Sequence, residues 1–209
     1  MLPVSVVVPH VTYRKDFFRR FCLPSIEANA PAEIIVEENA GGGTGAHWRN
    51  VGAEKATQPF VFFCDDDVVL AGDCLERLLR ELIFALDPKA RYSYCDFMMI
   101  VTEGGQRLQD HWVYTQAMKD FDPLQLRRGS ICSAMILIER ASLLLWDEKI
   151  HQLDDWDLTL ALLAKGVHGV RVPEVLFHAY SLDAGVTNKL TVASATHAVQ
   201  AKHGMRSGG

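Results

Sequence analysis

The chain has 209 residues, of which 49% are hydrophobic and 22% charged, and its formal net charge is −5 at pH 7. This size and composition are typical of one globular domain with a substantial core, and the acidic balance argues against a dedicated nucleic-acid-binding protein. No apolar stretch reaches the ~18–20 residues of a membrane span, and no basic region precedes the first apolar run. Five dispersed cysteines without a CxxC pair indicate free thiols. The sequence therefore predicts a soluble, cytoplasmic protein.

Strand and helix patterns alternate in the first half of the chain. Short runs rich in β-branched and aromatic residues predict strands over 4–8, 33–37 and 60–64. A helix is predicted over 16–29, where Pro24 should kink or restart it, and a second over 46–56. Asp73 and Glu76 have the spacing of a capping box, and an apolar stripe of leucines runs from there to Leu86, before Pro88. This alternation predicts parallel βαβ units in an α/β layer fold.

The second half of the chain is more mixed. Strands are predicted over 91–101, 131–138, 167–172 and 175–178, and a helix over 155–165 that ends at Gly166. The polar stretch 103–128 is expected to be irregular or helical. The last residues, from 181 on, are weakly patterned, and their glycine-rich end is expected to be frayed. The sequence contains no internal repeat, and nothing in it requires a second domain.

Two acidic clusters are the first candidates for a functional site. Asp65, Asp66 and Asp67 directly follow the strand predicted over 60–64, where ligands bind in open α/β sheets. Adjacent carboxylates of this kind suit a divalent cation with substrate phosphates, although a solvated turn that caps a helix is an equally good interpretation. The second cluster, Asp154-Asp155-Trp156-Asp157, fits the first turn of a helix and also exceeds what capping requires. A catalytic carboxylate in it is therefore plausible.

Two further features are ambiguous when taken alone. The glycine-rich segment 41–45 fits neither the GxxxxGK[ST] nor the GxGxxG pattern, so it predicts a flexible loop, which could still let a nucleotide approach the backbone. His178 stands at the end of a predicted strand. It is a packed or surface residue unless the fold brings it to the aspartate triplet.

Taken in order, the segments of the chain resemble a family-2-type glycosyltransferase of the GT-A fold. The similarity covers residues 4–180, and its motifs are short individually but specific in their order and spacing. The segments that carry it are Val6-Val7-Val8-Pro9, the run 33–39, Arg49-Asn50-Val51-Gly52, Phe63-Cys64-Asp65-Asp66-Asp67, Trp146-Asp147-Glu148, Asp154-Asp155-Trp156-Asp157-Leu158, Gly166, Pro173 and His178.

The resemblance implies a single-domain, Rossmann-like α/β fold, with a mixed, mostly parallel sheet flanked by helices. It places the catalytic domain over 1–180 and a partly flexible lid or tail over 181–209. It also implies transfer of a sugar, with inversion, from a nucleotide-diphosphate sugar to a hydroxyl acceptor. The donor would be a UDP-sugar in the first place and a GDP-sugar in the second, with Mn²⁺ or Mg²⁺ as the metal.

The resemblance also assigns roles to individual residues. Asp155 matches the general base and Asp67 a metal ligand, and His178 matches a position that completes the metal shell in some relatives. The residues matched to the donor site are Pro9, Glu38, Asn50, Asp65 and Asp66. Asp154 and Trp156 would contact the acceptor. Glu38 and Asp154 depart from the family, which usually has Asp and Glu at these two positions.

Two other functions remain open at this point. A nucleotidyltransferase of related fold usually has a glycine-rich, basic loop after the first strand, whereas this chain has Pro9-His10-Val11-Thr12-Tyr13-Arg14 there. A non-catalytic module that binds nucleotide-sugars would not need both acidic clusters. The acceptor could be a glycan, a small molecule or a modified nucleobase, and the net charge does not favour a nucleic-acid acceptor.

Overall fold

The computed structural model describes residues 1–39, 43–102, 111–181 and 192–205. The strands are β1 (Leu2–Val11), β2 (Pro31–Asn39), β3 (Phe60–Phe63), β4 (Val68–Leu70), β5 (Ala90–Thr102), β6 (His111–Gln116), β7 (Leu137–Glu139) and β8 (His168–Ser181). The helices are α1 (Lys15–Phe17), α2 (Leu23–Ala28), α3 (Gly45–Lys55), α4 (Cys74–Ile83), α5 (Pro123–Leu126), α6 (Asp154–Ala164) and α7 (Val192–Lys202), with a π-helical segment, Phe18–Cys22, between α1 and α2.

The strands form one mixed sheet in the order β2-β1-β3-β7-β5-β8-β4, and β6 pairs with β5 outside this path. The pairs β1–β2, β1–β3 and β5–β8 are parallel, and the other pairs are antiparallel. Consequently β1, β2, β3, β5 and β8 run in one direction and β4, β6 and β7 in the other. The predicted α/β fold with a mixed sheet, mostly parallel in strand direction, is confirmed.

Helices cover both faces of this sheet, which explains the continuous apolar sequence of its central strands. On β1, Val6 belongs to a core cluster shared with α2 and α4, while Val7 belongs to the opposite cluster, shared with α3 and α6. On β3, Phe62 and Phe63 divide in the same way. Because β1, β2 and β3 are parallel neighbours, their carboxyl ends lie at one edge of the sheet, directly before the aspartate triplet.

The helical predictions hold with two local differences. The restart expected at Pro24 is confirmed, because α2 begins at Leu23 with this proline in its first turn after the π-helical segment. The predicted capping box at Asp73 is wrong, since this carboxylate accepts a hydrogen bond from Arg77 Nε at 2.7 Å and caps no backbone N–H. Helix α4 ends at Ile83, so Leu86 is fully exposed and lies outside the apolar stripe.

Several strands differ from the predicted ones. β6 and the short helix α5 lie in the stretch expected to be irregular or helical, and β6 pairs in register with the end of β5. The two predicted strands after Gly166 are one strand, β8, which passes through Pro173 beside a register irregularity. β4 directly follows the triplet and was not predicted.

The weakly patterned C-terminal part contains helix α7, and Val199 on this helix is fully buried against the cluster shared with α6. The expected frayed end from 206 on, residues 182–191 of the proposed tail, and Gly41 and Gly42 lie outside the described residues. All five cysteines fall in the described part and are buried free thiols. Within the described ranges, no helix has the length and apolar character of a membrane span. The cytoplasmic location stays a prediction.

Candidate active site

A cavity of about 720 Å³ opens at the carboxyl ends of β1, β2 and β3. Its lining includes Pro9 at the end of β1, Asn39 at the end of β2 and the triplet after β3, as well as the N-termini of α3 and α6. A smaller cavity of about 250 Å³ adjoins it, and Asp65 and Asp67 line both. This crevice beyond the strand ends is where open α/β sheets bind ligands.

Asp66 is the buried centre of the triplet, with 2% of its surface exposed. Its carboxylate accepts hydrogen bonds from the Val11 N–H at 2.9 Å and from Arg14 Nη1 at 2.7 Å, and His10 Nδ1 lies 2.9 Å away. A buried carboxylate needs such partners, because an unpaired charge in the interior is strongly destabilising. Asp66 therefore ties the end of β1 to the triplet, and although it borders the cavity, its carboxylate already has three partners within the protein.

Asp67 shares the same arginine, since Arg14 Nη1 lies 2.8 Å from Asp67 Oδ2. Burial, and then the charge of nearby Asp65, raise the pKa of Asp67 to about 7, although Arg14 opposes this shift. Asp67 is the more accessible of the two carboxylates bound to Arg14, and it lines both cavities. The negative charge here is thus only partly compensated by Arg14.

Arg49 on α3 connects the two acidic clusters. Its Nη2 donates to Asp65 at 2.7 Å and its Nη1 to Asp154 at 2.9 Å, while its guanidinium stacks on the Trp146 ring at 4.7 Å. Although burial opposes the charged form, Asp65 and Asp154 raise the pKa of Arg49 above its ordinary value. The buried guanidinium of Arg49 therefore lies between the triplet and the start of α6 and binds both.

Asp155 lies in the first turn of α6 and lines the large cavity. Its carboxylate accepts a hydrogen bond from the Trp156 N–H at 2.7 Å. Burial, and then the charge of Asp154, raise the pKa of Asp155 to about 7. A carboxylate with a pKa near neutrality suits general acid–base chemistry at physiological pH. The preceding Leu153 has a φ of 60°, an uncommon left-handed conformation for a branched side chain at the entry of this helix.

Asn50 has a structural task that differs from the predicted donor contact. Its side-chain amide donates to the Trp146 carbonyl at 3.0 Å and its oxygen accepts from the Trp146 N–H at 2.8 Å. A further bond reaches Glu148 at 3.2 Å. Asn50 is buried and does not line the large cavity, so it fastens the turn 146–148 to α3.

Two other residues, Trp156 and Glu38, lie away from the contacts that the resemblance implies. Trp156 is 2% exposed and its indole N–H donates to the Leu126 carbonyl, so it packs in the core and is unavailable to an acceptor. Glu38 is exposed at the end of β2 and lies outside the cavity lining, which instead includes its neighbour Asn39.

His178 does not meet the triplet as a metal ligand would. Phe177 and Ala179 of β8 line the small cavity, whereas His178 between them is absent from the lining of both cavities. Successive side chains of a strand point to opposite faces, which places the imidazole on the other side of the sheet. The metal-ligand prediction for His178 is therefore not carried forward.

The predicted residues that the structure does bring together at the cavity are Pro9, Asp65, Asp66, Asp67, Asp154 and Asp155. Sequence reasoning assigned no role to Arg14 and Arg49, which make the central ion pairs. The signal for Arg49 was its place in the Arg-Asn-x-Gly motif, four residues after Gly45 at the start of α3. No local pattern marked Arg14.

The residues present fit a divalent cation held jointly with a substrate. Within the described ranges, no group of three or more His, Cys, Asp or Glu side chains forms a metal site. Asp67 and Asp65 line the same cavity, and hard cations are often bound by one or two carboxylates plus substrate phosphates. Arg14 compensates the negative charge of Asp67 only in part, and a divalent cation would offset the remainder.

The sheet order, the crevice at the strand ends and the two acidic clusters define an α/β domain of GT-A type with an acidic ligand-binding edge. Known proteins agree with this class. The family model described as glycosyl transferase family 2 matches residues 22–139, which is more than half of the chain. The chain therefore belongs to glycosyl transferase family 2, and the predicted family is confirmed.

Solved structures agree with this fold. S. aureus TarS 1-349 in complex with UDP-GlcNAc superposes with a TM-score of 0.67 at 12% identity, over 96% of this chain and 66% of that one. S. aureus TarS 1-349 gives a TM-score of 0.63 at 14% identity, over 97% and 64%. This chain thus spans about 66% or less of these relatives' length, and identities this low show the fold alone. No curated protein sequence matches the chain significantly.

Proposed function

We propose that this protein is a metal-dependent, inverting glycosyltransferase that moves a sugar from a nucleotide-diphosphate sugar to a hydroxyl acceptor. The observation that carries the proposal is the shared cavity, which Asp155 lines together with Asp65 and Asp67. A base and a cation site at one crevice are what a single displacement at an anomeric carbon requires. Membership of glycosyl transferase family 2 supports the reaction class.

The donor would bind at the strand ends, with its nucleotide near Pro9 and Asn39 and its diphosphate near Asp65 and Asp67. The complex of S. aureus TarS with UDP-GlcNAc supports a UDP-sugar as the first donor to test, with a GDP-sugar as the second. In this proposal Asn39, rather than Glu38, lies next to the nucleobase of the donor, because Asn39 lines the cavity.

The charge of the cavity supports a divalent cation. Five carboxylates line it (Asp65, Asp66, Asp67, Asp154 and Asp155) against two guanidiniums (Arg14 and Arg49). A diphosphate would add further negative charge to this excess, so its binding needs a cation. Asp67, with Asp65, would hold Mn²⁺ or Mg²⁺ there. A bound divalent ion supplies Lewis-acid stabilisation of the diphosphate leaving group.

The protein's own chemistry in the transfer falls to Asp155. Its ionised carboxylate takes the proton from the acceptor hydroxyl as the oxygen attacks the anomeric carbon and the bond to the diphosphate breaks. Attack from the side opposite the leaving group inverts the configuration. Asp154 is held by Arg49 beside this base and would face the acceptor.

The catalytic unit would extend beyond the predicted boundary at 180. Helix α7 packs on α6, and Val192 at its start lines the large cavity. We therefore place α7 within the catalytic unit. The acceptor, which could be a glycan, a small molecule or a modified nucleobase, would enter at this side of the cavity.

The test is replacement of Asp155 by Asn, which preserves shape and removes the base. Transfer from a UDP-sugar should fall at least about 100-fold, the lower end of what a general base contributes, while calorimetry shows unchanged donor affinity. Glu81→Gln is the matched control, because it removes one exposed carboxylate from α4, away from the cavity, and should change neither transfer nor donor affinity. Undiminished turnover of Asp155→Asn would exclude the base assignment.

A further inference from the structure

The side chain of Arg14 occupies the position of a counter-ion in the triplet. One nitrogen, Nη1, lies 2.7 Å from Asp66 and 2.8 Å from Asp67. Asp66 is buried and keeps two other partners, the Val11 N–H and His10. Asp67 is more accessible, and no other ion pair to it is formed within the described ranges. The bond to Asp67 is thus the one that can be exchanged without leaving a buried charge alone.

Arg14 also has unused capacity to bind an anion. Its Nε is buried and has no hydrogen-bond partner among the described residues. The side chain lines the large cavity, and 13% of its surface is exposed. It belongs to a 3₁₀ turn, Thr12–Arg14, directly after β1, so a rotation of its side chain does not break a strand or a long helix. A guanidinium with free donors beside a cavity suits phosphate oxygens.

We propose that Arg14 is an exchangeable counter-ion, which neutralises Asp67 in the empty enzyme and moves to the donor diphosphate when a divalent cation takes its place. This inference rests on the proposed function, since it assumes a donor diphosphate and a cation at Asp67. Arg14 Nη1 lies against Oδ2 of Asp67, and its positive charge repels a divalent cation at the same carboxylate, so Arg14 weakens metal binding until the diphosphate offers it a new partner. Metal and donor then bind cooperatively.

The proposal predicts two effects of opposite sign when Arg14 is replaced by Gln. Without nucleotide, Mn²⁺ should bind about tenfold more tightly, because the competing charge beside Asp67 is gone. In the presence of saturating Mn²⁺, UDP should bind about tenfold more weakly, because a charge-assisted contact to the diphosphate is lost. Arg14→Lys keeps the charge and should lie between the wild type and Arg14→Gln in both measurements.

Both affinities can be measured by titration calorimetry, with Mn²⁺ binding followed independently by electron paramagnetic resonance. Arg80→Gln is the matched control, since it removes one exposed arginine from α4, away from the site, and should change neither affinity. Thermal unfolding of each variant establishes that it is folded.

The outcomes separate this inference from the proposed function. If Asp67→Ala abolishes Mn²⁺ binding while Arg14→Gln binds Mn²⁺ no more tightly than the wild type, the counter-ion exchange is overturned and the metal site stands. If Mn²⁺ binds Asp67→Ala as tightly as the wild type, the metal assignment of the proposed function fails, and the exchange fails with it. Tighter Mn²⁺ and weaker UDP in Arg14→Gln support the exchange.

Discussion

Helix α7 is bound to the helix that carries the proposed base through one buried carboxylate. Asp157 on α6 has a side chain that is 3% exposed, and both of its oxygens are held by residues at the end of α7. Lys202 Nζ lies 2.7 Å from Oδ2, and His203 Nε2 lies 2.8 Å from Oδ1. Lys202 also reaches Asp147 at 2.7 Å. This arrangement predicts that Lys202→Met destabilises the protein through Asp157.

The expected magnitude follows from the burial of the two partners. A hydrogen bond to a charged group contributes roughly 1.5–3 kcal/mol, and removal of a partner from a fully buried pair costs about 3–5 kcal/mol. Lys202 is 36% exposed and His203 stays beside Asp157, so the lower figures apply. We expect the free energy of unfolding to fall by about 2 kcal/mol, which corresponds to about 4–8 °C in Tm for a chain of this size.

Urea unfolding followed by circular dichroism measures this change. Asp147→Asn is the control, because it removes the other, more exposed partner of the same lysine and should cost at most about 1 kcal/mol. The double variant Asp157→Asn, Lys202→Met should lose less stability than the two single variants added together, since they remove one interaction. The reasoning is refuted if Lys202→Met and Asp147→Asn have the same stability.

Two more predictions concern pH and packing. Since burial raises the pKa of Asp155 to about 7 and the base must be ionised, kcat/KM should rise about tenfold per pH unit below about pH 7 and level off above it. A raised pKa of Asp155 in the folded state lowers the free energy of unfolding as pH rises from about 4, the pKa of an unfolded Asp, to about 7. In urea titrations Asp155→Asn should therefore gain stability relative to the wild type over this pH window, and a constant difference would contradict the shift. A Cβ on Gly52 would lie 2.4 Å from Val7 Cγ1, so Gly52→Ala should lower the free energy of unfolding by about 1–3 kcal/mol. A Cβ on Gly72 meets open space, so Gly72→Ala should not lower it, and equal Tm values of the two variants would refute this reasoning.

The sequence allowed the first half of the fold to be predicted because its signals are local. The apolar runs of β1 and β3 are buried on both faces. A proline is tolerated in the first turn of a helix but interrupts its interior, so Pro24 marks the start of α2. β8 forms one strand because it pairs with β5, far earlier in the chain, where the sequence predicts two short strands. β6 pairs with the preceding strand β5 and lies in a stretch without a strong pattern of its own. Asp73 shows the same limit at short range, because Arg77 competes for the carboxylate that would otherwise cap α4.

The sequence predicted that the two acidic clusters belong to a functional site, and the structure places both at one cavity, but the surroundings of each aspartate could not be predicted. Three adjacent aspartates have identical local patterns, yet the fold buries Asp66, pairs Asp65 with Arg49 and leaves Asp67 with a shared guanidinium. These differences arise from residues up to 56 positions away, as for His10 and Asp66. His178 lies outside the lining of both cavities for a related reason, since the face of a strand to which a side chain points depends on register.

Helix α3 links the two acidic clusters that line the cavity. Gly52 lets this helix approach β1 closely, and Asn50 fastens it to the turn at Trp146. The Arg49 side chain is thereby fixed over the Trp146 ring, with its two terminal nitrogens on Asp65 and Asp154. Asp154 binds this arginine from the first turn of α6, so the triplet and the proposed base, Asp155, are both positioned by one buried guanidinium.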